Sequence, residues 1–152
     1  MALLWLAPLG SLLALGFAFY LTKRILKEDE GTPAMKKISQ AVRVGAKAYL
    51  SRQYRTVIYF FAAVFVVLLA LSFMGVVNGF IPFAFLTGGF FSGLAGYIGM
   101  WIATQANVRT TNGCKKSLNA GLRIAFSSGA VMGLAVVGLG LLDLSIWYYA
   151  LD

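Results

Sequence analysis

The sequence predicts an all-α integral membrane helical bundle with four transmembrane helices. Three observations carry this. The 152 residues are 60% hydrophobic and only 12% charged, half the roughly 25% charge of a soluble domain. Four apolar runs are each long enough to cross about 30 Å of hydrocarbon, which takes about 20 helical residues. And all 13 Lys and Arg residues fall in two of the connections between those runs.

The first run is Ala2 to Thr22, with Pro8 near its start, where a helix tolerates proline best. A cleaved signal peptide would carry its positive charge before the apolar core. Here Lys23, Arg24 and Lys27 follow it. The segment therefore reads as a retained first helix with its N-terminus outside.

The stretch from Lys23 to Thr56 is the first basic connection, with nine Lys and Arg residues. Its "KEDEGTP" (Lys27–Pro33) reads as a charged turn, and Glu28, Asp29 and Glu30 in it read as a solvated acidic loop. From Pro33 the pattern becomes helical. Ile38, Val42, Gly45, Ala46, Tyr49 and Gln53 share one face, and Lys36, Arg43 and Lys47 cluster within about 40° on another at 100° per residue. This predicts a cytoplasmic extension from residue 33 that continues into the second span, Val57–Val77. Arg52, Tyr54, Arg55 and Tyr59 stand where interfacial anchors belong.

Asn78–Gly79 predicts a tight turn, and Pro82 falls in the first turn of the third span, Phe80–Thr104. Gln105 to Arg123 is the second basic connection, and the fourth span is about Ile124–Leu142. Alternating spans put both basic connections on one side, and the positive-inside rule makes that side the cytoplasm. Topology thus accounts for the net charge of +8, and nucleic acid is excluded as its default explanation. Steering of an anionic substrate by the same cations is the lesser reading.

Small residues mark expected packing faces. Gly89 and Gly93, extended by Gly96, form one GxxxG stripe, and Gly129 and Gly133 form a second, because glycine lets backbones approach closely.

The chemistry absent from the chain narrows its function. There is no histidine, so His-based zinc sites and catalytic triads are excluded within it. "TTNGCKKS" (Thr110–Ser117) lacks a glycine directly before Lys-Ser and is no phosphate loop. Cys114 is the one cysteine and reads as a bystander thiol. No ionisable group lies between the caps of the four spans. Asp143, near Trp147, Tyr148 and Tyr149, reads as an interfacial polar end rather than an ion relay.

Two stretches carry more than composition supplies. "EGTPAMKKISQAVRVGAKAYLSRQYRTV" (Glu30–Val57), with "GAKAYLSRQY" at its core, and "GMWIATQANVRTT" (Gly99–Thr111), with "ATQANVRT" at its core, resemble the N-terminal region of membrane-bound, ion-translocating inorganic pyrophosphatases. The resemblance implies homodimers that hydrolyse cytoplasmic pyrophosphate with Mg²⁺, in some members stimulated by K⁺, and move H⁺ or Na⁺ outward. It implies that this segment is the N-terminal outer-ring portion of such a pump, in a prokaryotic plasma membrane, partnered by the remaining helices. The family's aspartate-rich catalytic motifs have no counterpart here. No catalytic, metal or substrate residue is carried over, and the segment alone is expected to be inactive. What carries over is scaffold: Tyr49, Arg52, Gln53, Tyr54, Asn107 and Arg109. The alternative is a complete small four-helix membrane protein with a structural or assembly role.

Overall fold

The computed structural model describes residues 5–151; Ala2 to Leu4 of the expected first helix lie outside them. Four helices follow one another: α1 (Leu6–Leu26), α2 (Pro33–Phe73), α3 (Ile81–Lys116) and α4 (Leu118–Leu151). Each is long and apolar enough to cross a membrane.

The helices outrun the apolar segments of the sequence. α2 has 41 residues, about 60 Å at 1.5 Å per residue, roughly twice the hydrocarbon thickness. Its start is well specified. Thr32 is the N-cap, its hydroxyl accepts from the Met35 amide at 3.4 Å, and Pro33 opens the helix, where proline's missing N–H costs nothing. Its end comes at Phe73 rather than Val77. Gly75 adopts φ +72°, and the Val76 and Gly75 amides bond the carbonyls of Leu71 and Ser72 at 3.0 Å each. This left-handed cap closes the helix. Asn78 then serves α3, its side chain accepting from the Phe80 amide at 3.3 Å.

The second basic connection differs most from expectation. Gln105 to Lys116 are helical, and only Ser117 separates α3 from α4. Ser117 is extended (φ −166°, ψ 153°), and its hydroxyl accepts from the Ala120 amide at 3.1 Å, capping α4. The apolar run marked where the hydrocarbon ends, not where the helix ends. The Asn112–Gly113 pair, a turn signal by type, stays helical here because the packing seam continues through Gly113 against Gly121. Buried positions of α3 include Ala95, Gly99, Ile102, Ala106, Arg109 and Gly113, spaced four and three in alternation. Those of α4 include Gly121, Ile124, Ser128, Val131, Ala135, Gly138 and Ser145, on the same 3.5-residue period that keeps two helices in contact over many turns. The fourth helix likewise runs on past Leu142 to Leu151.

The helices form a row in the order α2, α3, α4, α1. α4 packs against both α3 and α1, and α2 packs on α3 alone. α1 and α2 are consecutive in the chain, yet among the described residues they do not pack on each other. Lipid removes most of the hydrophobic drive between helices, so close packing and hydrogen bonds hold them. Ser11 donates to the Gly138 carbonyl at 2.7 Å, while Leu15 covers the space a Cβ at Gly138 would take. Gly113 and Gly121 face each other across the Ser117 bend, a Cβ on Gly113 falling 3.2 Å from the Gly121 Cα. Trp5 lies 5.5 Å from Tyr149, centroid to centroid, so the start of α1 and the end of α4 share one end of the row. Both basic connections share the other.

Candidate functional site

The polar residues of that basic end converge on the turn between α1 and α2. α1 stops at Leu26, leaving carbonyls without helical partners. Gly31 turns the chain with φ +84°. A Cβ there would also sit 2.7 Å from the Asn112 side-chain oxygen, so both backbone and space require glycine.

Arg109 of α3 fills the centre of this turn. Its position in the buried seam points it at α1 and α2 rather than at water, and it is only 8% exposed. Nε donates to the Glu28 carbonyl at 3.0 Å, Nη2 reaches the Leu26 carbonyl at 3.5 Å, and Nη1 donates to the Gln105 carbonyl at 2.6 Å. Nη1 also lies 3.1 Å from a Glu30 carboxylate oxygen. That oxygen accepts a second cation, Arg43 Nη2 of α2, at 2.5 Å. Asn112, one turn beyond Arg109, donates to the Asp29 carbonyl at 3.2 Å. One guanidinium thus ties the end of α1, the acidic turn and α2 to α3. The Arg43 hydrogen bond, against the opposing effect of burial, holds the Glu30 carboxyl below its usual range, and the Arg43, Arg109 and Lys36 charges help. Burial lowers the Arg109 guanidinium while Glu30 pulls it back up; a guanidinium remains charged regardless.

These contacts revise two sequence expectations. The acidic turn is not a freely solvated loop, because Glu30 and Asp29 are engaged. And α2 is rotated from its expected face. The residues turned inward are Met35, Ser39, Arg43, Ala46, Leu50 and Tyr54, whereas Ile38, Val42 and Tyr49 are exposed. Arg43, paired with Glu30, lies on the inward face apart from the basic cluster, in line with Tyr54, which bonds to α3.

The expected scaffold positions divide. Arg109 is at the centre of the clasp. Tyr54 donates from its hydroxyl to the Gly93 carbonyl at 2.6 Å, and a Cβ on Gly96 would stand 3.3 Å from that hydroxyl. Gly89 lies under the Phe61 ring, which stacks on Phe85 at 4.8 Å. Tyr49, Arg52, Gln53 and Asn107 stay on the surface. Gly129 and Gly133 do not form a packing stripe within this row; a Cβ at either meets nothing within 4 Å. On α4, Gly121 and Gly138 make the close approaches instead.

Glu30, Arg43 and Asn112 were not singled out from sequence as site residues. A signal for them exists. The four-three spacing of small residues in α3 runs straight through Arg109, and a cation at a seam position calls for an acid. The chain has five acidic residues, three of them in one turn.

At the opposite end, Trp147 donates to the Thr87 hydroxyl at 2.7 Å. Asp143, one turn earlier on α4, lies against Gly88, with one oxygen buried and unpaired.

Among the described residues no group of three or more His, Cys, Asp or Glu could hold a metal ion. With Glu30 held by two arginines, the acidic turn does not fit Mg²⁺.

The chain matches the family model described as inorganic H⁺ pyrophosphatase over residues 12–152. It is 57% identical over 152 residues to a Bacteroides thetaiotaomicron protein provisionally named a K⁺-stimulated pyrophosphate-energized sodium pump. It is 45% identical over 152 residues to a Moorella thermoacetica protein named K⁺-insensitive pyrophosphate-energized proton pump 2. Each alignment covers 99% of this chain and 21% of the relative, so the chain spans about a fifth of their length. A plant relative, pyrophosphate-energized membrane proton pump 3 of Arabidopsis thaliana, is 37% identical over 143 residues, covering 85% of this chain and 18% of its own length. With nearly its whole length matched by the family model and by these relatives, the chain belongs to the inorganic H⁺ pyrophosphatase family.

Proposed function

We propose that this chain is the N-terminal, outer-ring portion of a membrane pump that couples hydrolysis of cytoplasmic pyrophosphate to outward movement of H⁺ or Na⁺. The observation that carries the reading is the 57% identity along 99% of the chain to a protein named as such a pump, of which it matches 21%. In this reading the basic end of the row faces the cytoplasm, and the rest of the protein supplies the Mg²⁺ and pyrophosphate ligands. The intact pump is a homodimer in a prokaryotic plasma membrane. Relatives named as sodium and as proton pumps both match the segment, so its part is common to either ion.

The role of this portion is bracing. α2 and α3 project past the hydrocarbon as one paired stalk, and the Arg109 clasp fixes that stalk to α1. A rigid frame of this kind holds neighbouring catalytic helices in register. The test uses the full-length protein in sealed vesicles. Mg²⁺-dependent pyrophosphate hydrolysis with ion uptake is expected there, and none from residues 1–152 alone. Hydrolysis by the isolated chain would overturn the bracing role, and a full-length protein inert toward pyrophosphate would overturn the pump.

A further inference from the structure

A cavity of about 320 Å³ opens beside the clasp, between the end of α1 and the α3–α4 bend. Arg24, Lys116 and Arg123 line it, together with Arg109, Glu28 and Asp29. Four cations thus face two carboxylates. Arg109 is committed to Glu30, whereas among the described residues Arg24, Lys116 and Arg123 form no ion pair. Glu28 and Asp29 offset part of this charge, but the cavity keeps a net positive charge drawn from three helices, which favours an added anion. The clasp and the bend fix the backbones from which they project.

The surroundings indicate what kind of anion. Arg24 lies at the last turn of α1, where the apolar span meets water. One face of α1 continues from it into the membrane through Tyr20, Phe17 and Leu13, which are 57%, 54% and 74% exposed. Phe17 and Tyr20 stack at 6.0 Å. A polar, cationic cup thus continues directly into an apolar strip, the profile of a lipid with its headgroup at the interface.

We propose that this cavity seats the phosphate of an anionic membrane lipid, with Arg24, Lys116 and Arg123 as its ligands and the Tyr20–Phe17–Leu13 strip against its acyl chain. All of its ligands lie within this chain, and it does not depend on the pump reading. A free phosphate shares the headgroup's chemistry but has no use for the apolar strip.

The experiment is native mass spectrometry of the full-length protein, titrated with phosphatidylglycerol or with inorganic phosphate. The wild type is expected to retain phosphatidylglycerol, and an Arg24→Gln/Arg123→Gln double variant to bind it about tenfold or more weakly, the loss expected for at least one charged contact. Both residues are exposed, so the variant should fold. Lys37→Gln, an exposed cation outside the cavity, should bind as wild type. Tyr20→Ser should weaken the lipid without affecting inorganic phosphate. Equal lipid binding by wild type and double variant would overturn the site. Displacement of the lipid by inorganic phosphate, with Tyr20→Ser unaltered, would keep the phosphate cup but overturn the lipid as its occupant.

Discussion

The side chain of Arg109 donates at 3.0 Å to the backbone carbonyl of Glu28, 81 residues earlier in the chain. A charged donor is spent on a main-chain acceptor at the end of another helix. The contact holds wherever the turn keeps its backbone path, whatever side chain position 28 carries.

Removing that donor is expected to loosen the whole basic end. Arg109→Ala should cost about 2–3 kcal/mol, the scale of hydrogen bonds from charged groups in a mostly buried place. Arg109→Lys keeps the charge but not the fork that reaches Leu26, Glu28 and Glu30 together, and should recover less than half of the loss. Thermal unfolding in detergent reads the stability, and trypsin cleavage after Lys27 reads the opening of the turn. A lysine variant that melts and resists trypsin like wild type would reduce Arg109 to a simple interfacial cation.

Glu30→Gln tests the electrostatic half of the clasp. It leaves Arg43 and Arg109 side by side with no charge between them. A double-mutant cycle of Glu30→Gln with Arg109→Gln should show a coupling of about 1–2 kcal/mol, within the usual span for residues in one ion-pair network. Strict additivity of the two losses would mean the pair is incidental.

Acid should act through the same carboxylate. The folded pKa of Glu30 is lowered from 4.5. Its contribution is therefore fully present above about pH 4.5 and is lost as pH falls through the lowered folded value. Melting temperature followed from pH 7 downward should fall more steeply below pH 4.5 in the wild type than in Glu30→Gln. Parallel curves would rule out Glu30 as the titrating group.

The glycines separate by what stands over them. Gly121→Ala drives a methyl onto the Cys114 sulfur and within 3.1 Å of the Thr110 carbonyl, and should destabilise by about 1–3 kcal/mol. Gly129→Ala faces open space and should be neutral, or stabilising by up to about 1 kcal/mol through helix propensity. Unfolding of the two variants of residues 1–152 makes the comparison. Equal effects would mean that helix propensity, not the α3–α4 approach, decides both positions.

Much of this was legible in the sequence, for identifiable reasons. Four apolar runs and the one-sided distribution of Lys and Arg are long-range statistical features, and they located four membrane-crossing helices. "QANVRTT" marked a place where composition alone did not explain the residues, and Arg109 sits at the centre of the clasp. Helix ends were less legible. Hydropathy reports the solvent around a helix, and a helix leaving the membrane changes solvent without changing conformation, as Gln105 to Lys116 do. The rotation of α2 is less legible because apolar periodicity does not register polar contacts: Arg43 turns inward to Glu30 while Tyr49 and Ile38 lie outward. The expected glycines divide for a related reason: a Cβ at Gly89 or Gly96 would meet side chains of α2, whereas one at Gly93, Gly129 or Gly133 meets nothing within 4 Å. GxxxG at 129 and 133 offers close approach, but only the arrangement of the other helices decides which face is used.

The row order has a consequence for biogenesis. α1 is made first, yet its packing partner, α4, is made last, and Arg109 must also be synthesised before the turn after α1 can close. Until then α1 waits in the bilayer with lipid, the translocon or another protein as its only company. Chains stalled before Arg109 should therefore expose Lys27 and the acidic turn to protease. The end of α3 should protect them, whereas the long packing face of α1 still waits for α4, making the first helix the last of the four to be committed.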